Sequence, residues 1–137
     1  MRFLVNTKEN LNQEMVKLLK GDNEHLSYGD IMALYCDFFF ILFDEKEKEI
    51  IAECSVSLEN EDVIEINDVL VHEQFRGKRY SELLIMNVLY HFAGRGRKVL
   101  AKICCALDNV PAYRCYKKIF DLPYRTDNRY AYFCMYI

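Results

Sequence analysis

The segment Val63 to Val71, reading Val-Ile-Glu-Ile-Asn-Asp-Val-Leu-Val, constrains the fold more than any other stretch of the chain. Apolar residues stand at odd and even positions alike, with Glu65, Asn67 and Asp68 interspersed, so a strand here presents apolar side chains to both of its faces. A strand of that kind is a central one, buried on both sides. Helical segments are available to cover it. Leu11, Met15, Leu18 and Leu19 form the stripe of an amphipathic helix ending at Gly21, and a second short helix is predicted over about Tyr28 to Tyr35. Leu83, Leu84, Met86, Val88, Leu89 and Phe92 make a broad helical face closed by Gly94 and Gly96, and Ala112 to Ile119 also reads as helix.

Further strands are predicted at Phe3 to Val5, Val99 to Leu107 and Arg129 to Ile137, with an extra one near Pro123. Asp37 to Phe43 and Ile50 to Leu58 form a hairpin that turns through the charged run Asp44 to Glu49. The order β-α-α-β-β-β-α-β-α-β holds no repeat, low-complexity tract or linker. One α/β domain over residues 1–137 accounts for all of it.

Composition removes several function classes. The 137 residues are 52% apolar or aromatic, which rules out disorder and supports a single core that buries roughly two-thirds of the unfolded surface. With 18 basic against 21 acidic side chains the net charge is −3, so nucleic acid is not expected as the main partner, and anion binding must come from a local patch. The six cysteines, Cys36, Cys54, Cys104, Cys105, Cys115 and Cys134, contain no CxxC and lie mostly in apolar runs. Reduced thiols are therefore expected, with no metal. The N-terminal residues lack a long apolar signal segment, and the longest apolar run, Phe38 to Phe43, is only six residues. A cytoplasmic protein without a membrane segment is the expectation.

A local basic patch does exist. Val69 to Leu84 leads the central strand through the glycine-containing turn Arg76-Gly77-Lys78-Arg79 into a helix. Backbone N–H groups at a helix start lack intrahelical partners and sit at the positive end of the dipole, and the cationic side chains add to that field. The turn suits a phosphate or pyrophosphate. It is neither a Walker A loop, GxxxxGK followed by Ser or Thr, nor a dinucleotide-binding GxGxxG. A solvated basic loop would carry the same residues. Downstream, Asn109 stands as a helix N-cap with Pro111 in the first turn, and Ala112 and Tyr116 share one helical face. Tyr116 fits a core aromatic as well as a catalytic group.

Together the two segments resemble the GNAT superfamily of acetyl-CoA-dependent N-acetyltransferases. Members carry a strand ending in a pattern like LAV, then a loop like PxYRGxGxG that opens a helix. Here Val69-Leu70-Val71 is followed, after His72-Glu73-Gln74, by Phe75-Arg76-Gly77-Lys78-Arg79-Tyr80-Ser81. Asn109, Ala112 and Tyr116 match the family's downstream N-x-x-A-x-x-x-Y, with Ile119 and Phe120 standing for its closing Gly-Phe. The resemblance implies a single-domain GNAT-like fold, a mixed central sheet with helices on both faces. It also implies transfer of an acetyl group from acetyl-CoA to a primary amine by direct attack, the acceptor being a protein lysine, an N-terminus or a small amine.

Site residues follow from the same resemblance. The pantetheine arm would pair with Val69, Leu70 and Val71 like an added strand, where a backbone N–H polarises the thioester carbonyl. The pyrophosphate would rest on amides from Arg76 through Gly77, Lys78, Arg79, Tyr80 and Ser81 to about Glu82. Tyr116 would be the general acid for the leaving thiolate, and Asn109 would hydrogen-bond to the arm or fix its loop. Arg79 and Ser81 stand where the family usually has glycine and glycine or alanine. A helical backbone at Arg79 would still expose its N–H, and its side chain would reach a CoA phosphate.

An amine with a pKa of about 10.4 is almost wholly protonated at neutral pH, so a proton acceptor is expected. Glu65, Asp68, His72 and water are candidates. Glu65 lies six residues before Val71, similar to the glutamate position of the family's lysine-acetylating branch, and equal parity puts both on one face. A pairing with Lys98 or Lys102 is the competing reading of Glu65. The branch that acts on protein N-termini has a glutamate on the following strand, where this chain has Cys104. The short stretch Asp121 to Arg129 implies an open acceptor groove, although Tyr130, Tyr132 and Tyr136 could wall a smaller pocket. Asp30, Asp37, Asp44 and Glu45 would either attract a cationic acceptor or be solvated surface. The alternative function is a non-catalytic CoA-binding or protein-binding module of the same fold. A nucleic-acid surface built from Arg76, Lys78, Arg79, Arg95, Arg97 and Lys98 has too few cations and no interleaved aromatics.

Overall fold

The computed structural model describes residues 1–7, 37–94 and 96–137. The helices expected over 11–19 and 28–35 lie outside the described residues, as do Asp30, Cys36 and Arg95. Strands Arg2–Thr7 (β1), Phe38–Asp44 (β2), Glu49–Asn60 (β3) and Val63–Val71 (β4) precede the helix Tyr80–Phe92 (α1). Leu100–Ala106 (β5), the helix Val110–Phe120 (α2), Arg125–Thr126 (β6) and Tyr130–Tyr136 (β7) complete the described elements.

One mixed sheet contains all of these strands in the order β1-β2-β3-β4-β5-β7-β6. Neighbours are antiparallel except β4 and β5, because α1 carries the chain back between those two and makes them parallel. Leu84, Ile85, Val88, Leu89 and Phe92 of α1 are buried in one core with Phe40, Cys54, Val56, Ile64 and Ile66 of the sheet. Phe133 of β7 is fully buried and gathers the rings of Tyr113, Tyr116 and Phe120 from α2. α1 and α2 lie side by side. Glu82 pairs with Lys118 at 3.1 Å, and the Ser81 hydroxyl donates to Cys115 Sγ at 3.5 Å.

The central strand departs from the sequence reading at one point. Ser55 of β3 faces Asn67 and Glu53 faces Leu70, so β4 spends one residue more than its partner over that stretch. This is a β-bulge, and Asp68 in it has φ 53°, a left-handed conformation that aspartate tolerates better than most residues. The bulge flips the side-chain parity. Ile64 and Ile66, then Val69 and Val71, face the core under α1, which turns Glu65 and Leu70 to the other side. The expectation that Glu65 and Val71 share a face is thus corrected. Ser55, buried at 3% exposure, donates its hydroxyl to the Asn67 carbonyl at 3.4 Å and holds the bulge in place.

Candidate active site

β4 and β5 pair only from Val63 opposite Leu100 to Ile66 opposite Ile103. Beyond that row the strands part, and among the described residues Asn67 to Val71 keep β3 as their only strand partner. An unpaired strand edge inside a sheet is a template for an extended ligand. The gap opens into a cavity of about 620 Å³, within the range of pockets that bury small ligands. Its walls come from Ile66 to Val69 and Val71 on β4, the turn after it with the start of α1, Ile103 to Ala106 on β5, the first turns of α2, and Tyr130 on β7.

The backbone of the turn differs from the sequence reading. Gly77 has φ 80° and Arg79 has φ 64°, and α1 begins only at Tyr80 with Arg79 as its N-cap. Arg79 is therefore left-handed rather than helical, a conformation that costs a non-glycine residue roughly 1–2 kcal/mol and that glycine would adopt freely. No side chain caps the helix, and the first bond within it runs from the Leu83 N–H to the Arg79 carbonyl at 3.2 Å. The N–H groups of Tyr80, Ser81 and Glu82 thus have no helical acceptor. Arg76 folds back on the preceding chain: its N–H donates to the Glu73 carbonyl at 3.2 Å and its Nε to the Val71 carbonyl at 3.0 Å. Its amide is not available to a ligand, which corrects the extent of the expected amide cradle.

Opposite the turn, Asn109 caps α2, its side-chain oxygen accepting from the Ala112 N–H at 3.3 Å. The cap and Pro111 fix the direction of α2, so the spacing from Ala112 carries Tyr116 to the cavity. Tyr116 is 5% exposed, and among the described residues its hydroxyl has no hydrogen-bond partner. A hydroxyl that lines a cavity without a protein partner is free to donate to whatever occupies that cavity. Burial pushes its pKa well above the ordinary phenol range, helped by the surrounding thiols, so it stays a neutral donor.

Of the other expected residues, Val69, Val71, Arg76, Gly77, Arg79, Tyr80, Ser81 and Asn109 line this cavity, whereas Leu70, Lys78 and Glu82 do not. Glu65 lines a second, smaller cavity of about 190 Å³ with Glu59, Lys102, Tyr124, Arg125 and Tyr132. The two cavities share Ile103 and Cys104, the point on β5 where the strands part. Register places Lys102 beside Glu65, yet the Lys102 amine bonds to Glu59 at 3.2 Å and Lys98 sits over the Tyr136 ring. Neither lysine takes the Glu65 carboxylate. Burial, then Glu65 and Asp127, push the Cys104 thiol above its ordinary value. Asp68 borders the large cavity, and His72 is held by Glu53 at 3.1 Å. Asp37 accepts the Leu58 N–H, Asp44 the Lys46 N–H, and Glu45 pairs with Arg2, so these carboxylates have structural partners. Sequence reasoning missed Glu59, Tyr124 and Arg125, which no periodic pattern connects to Glu65.

A mixed sheet parted between two parallel strands, beside an uncapped helix start, is an α/β arrangement that leaves a strand edge and free amides facing one cavity. The chain belongs to the acetyltransferase (GNAT) family, whose profile matches residues 9–121. Comparison with curated proteins gives no match. Among solved structures, it is similar to the Campylobacter jejuni N-acetyltransferase PseH in complex with acetyl coenzyme A, with TM-score 0.69, 15% identity and 98% of each chain covered. It is similar to Escherichia coli ElaA, with TM-score 0.68, 15% identity and 97% of each chain covered. Arabidopsis thaliana NAA60 in complex with a bisubstrate analogue gives TM-score 0.64 at 15% identity, covering 99% of this chain and 98% of that one.

Proposed function

We propose that this chain transfers an acetyl group from acetyl-CoA to a primary amine by direct attack on the thioester. One observation carries the reading: a single cavity brings together the uncapped start of α1, the unpaired edge of β4 and the unpartnered hydroxyl of Tyr116. Bound acetyl-CoA supplies the activated acyl group. The amides of Tyr80, Ser81 and Glu82 hold its pyrophosphate with the positive end of the α1 dipole. Val69 to Val71 align the pantetheine arm through main-chain hydrogen bonds, and a fixed amide on that edge stabilises the oxyanion as the C–N bond forms.

As the C–S bond breaks, Tyr116 donates a hydrogen bond to the departing sulfur. Its raised pKa makes complete proton transfer to a thiolate, ordinarily near 8.5, unfavourable, so the phenol acts chiefly as a donor that neutralises charge. The amine's proton goes to Glu65, directly or through water, since among the described residues that carboxylate has no ion pair, and it stands where β4 and β5 part. The acceptor belongs on the Glu65 side of the sheet and the coenzyme on the α1 side.

Calorimetric titration with acetyl-CoA, followed by thiol release over a panel of amines, tests the reading. Saturable binding with amine-dependent release is expected. Binding without release from any amine would assign the coenzyme-binding module instead, and no binding would overturn both.

A further inference from the structure

The smaller cavity has a charge pattern that the transfer reaction alone does not require. Four of its lining residues are charged: Glu59, Glu65, Lys102 and Arg125. Glu59 and Lys102 satisfy each other at 3.2 Å, and that bond raises the pKa of Lys102. The remaining two feel an opposite charge only at longer range, Glu65 that of Lys102 and Arg125 that of Asp127. Among the described residues Glu65 makes no ion pair, and Arg125 has no carboxylate within ion-pair distance. Arg125 instead lies over the Tyr132 ring, with its guanidinium carbon 4.1 Å from the centroid. The ring is itself anchored, because the Tyr132 hydroxyl donates to Asp127 at 2.9 Å, whose other oxygen accepts the N–H groups of Arg129 and Tyr130. A guanidinium stacked on a fixed ring loses little freedom when it binds an anion, so it is prepared for one.

We infer that the acceptor is a small zwitterion, an amine carrying a carboxylate or similar anion, with its ammonium on Glu65 and its anion on Arg125. The inference rests on the acetyl-transfer reading of the site. Across the sheet, Arg125 is opposite Tyr132 and Tyr132 opposite Cys104, while Glu65 is opposite Lys102. Since Arg125 leans over β7, its guanidinium stands two strands across and two residues along from Glu65, roughly 12 Å. Subtracting roughly 3 Å for a hydrogen bond at each end leaves roughly 6 Å between amine and anion. Three or four methylenes span that distance. A volume of about 190 Å³ admits a molecule of this size and excludes a bulky one.

The pair 4-aminobutanoate and butylamine tests this, since the two differ only in the carboxylate. Both are compared with the full chain, by thiol release with acetyl-CoA and by chemical-shift titration. 4-Aminobutanoate is expected to exceed butylamine about tenfold or more in kcat/KM and in affinity, as a charge-assisted hydrogen bond provides. Arg125→Gln brings the ratio to about one, and Arg125→Glu inverts it. A ratio near one in the unaltered chain, a ratio that survives Arg125→Gln, or no binding of either amine overturns the inference. Equal turnover of both amines would leave acetyl transfer standing while removing the zwitterion. Arg125-dependent binding of 4-aminobutanoate without any thiol release would do the reverse.

Discussion

Tyr116 places an unpartnered hydroxyl in the cavity from a ring that is otherwise core, packed against Phe133 with centroids 5.9 Å apart. Tyr116→Phe keeps that packing and removes only the donor, so kcat should fall about 10- to 100-fold while the dissociation constant for acetyl-CoA changes less than about twofold. Steady-state kinetics with parallel calorimetry checks it, and an unchanged kcat would leave Tyr116 a core residue. Glu65 can be followed through its neighbour. Its carboxylate helps hold the Cys104 thiol up, so Glu65→Gln should move the pH profile of Cys104 alkylation to lower pH, as read by mass spectrometry. At this scale helical spacing made Tyr116's direction legible, because one capped helix governs it. The partner of Lys102 was not legible. The residue in register is Glu65, but the flexible amine reaches Glu59 instead, a choice made by side-chain reach rather than by any periodicity.

The start of α2 decides where Tyr116 points, and the start of α1 decides what the turn can bind. Asn109→Ala removes the N-terminal side-chain cap of α2 and should cost about 1 kcal/mol in denaturant unfolding, with a fall in kcat as the helix start frays. Loss of stability without any kinetic effect would separate the cap from the site. Most elements follow from apolar spacing: β4 spans Val63–Val71 as read, and β2 and β3 form the expected hairpin. The bulge was the hidden feature. Its trace in the sequence is the switch from even to odd in Ile64, Ile66, Val69 and Val71, a single inserted residue that a strict two-residue period reads as apolar residues on both faces. Left-handed Arg79 was hidden for a similar reason. A basic residue before a helix reads as part of it, and only the backbone shows that the turn needed a glycine-like conformation.

The sheet, taken whole, separates two spaces, with α1 and α2 over one and the Glu65 side over the other, joined where β4 and β5 part. This division also governs how stability depends on pH. The folded-state pKa of Tyr116 lies above its unfolded value of about 10, so its contribution is complete below that pH and is lost as pH rises towards the folded value. Unfolding free energy should therefore fall by about 1.4 kcal/mol per pH unit above about pH 10 on account of this group, and less steeply in Tyr116→Phe. Identical slopes in the two proteins would place the phenol in water.

Two-dimensional amide spectra recorded during titration with acetyl-CoA test the division most directly. The account predicts saturable shifts concentrated at Tyr80, Ser81 and Glu82 and along Val69 to Val71, with Glu59 and Arg125 little moved until an amine is added. Shifts confined to the Glu59 and Arg125 side, or a spectrum unchanged at saturating coenzyme, would contradict it.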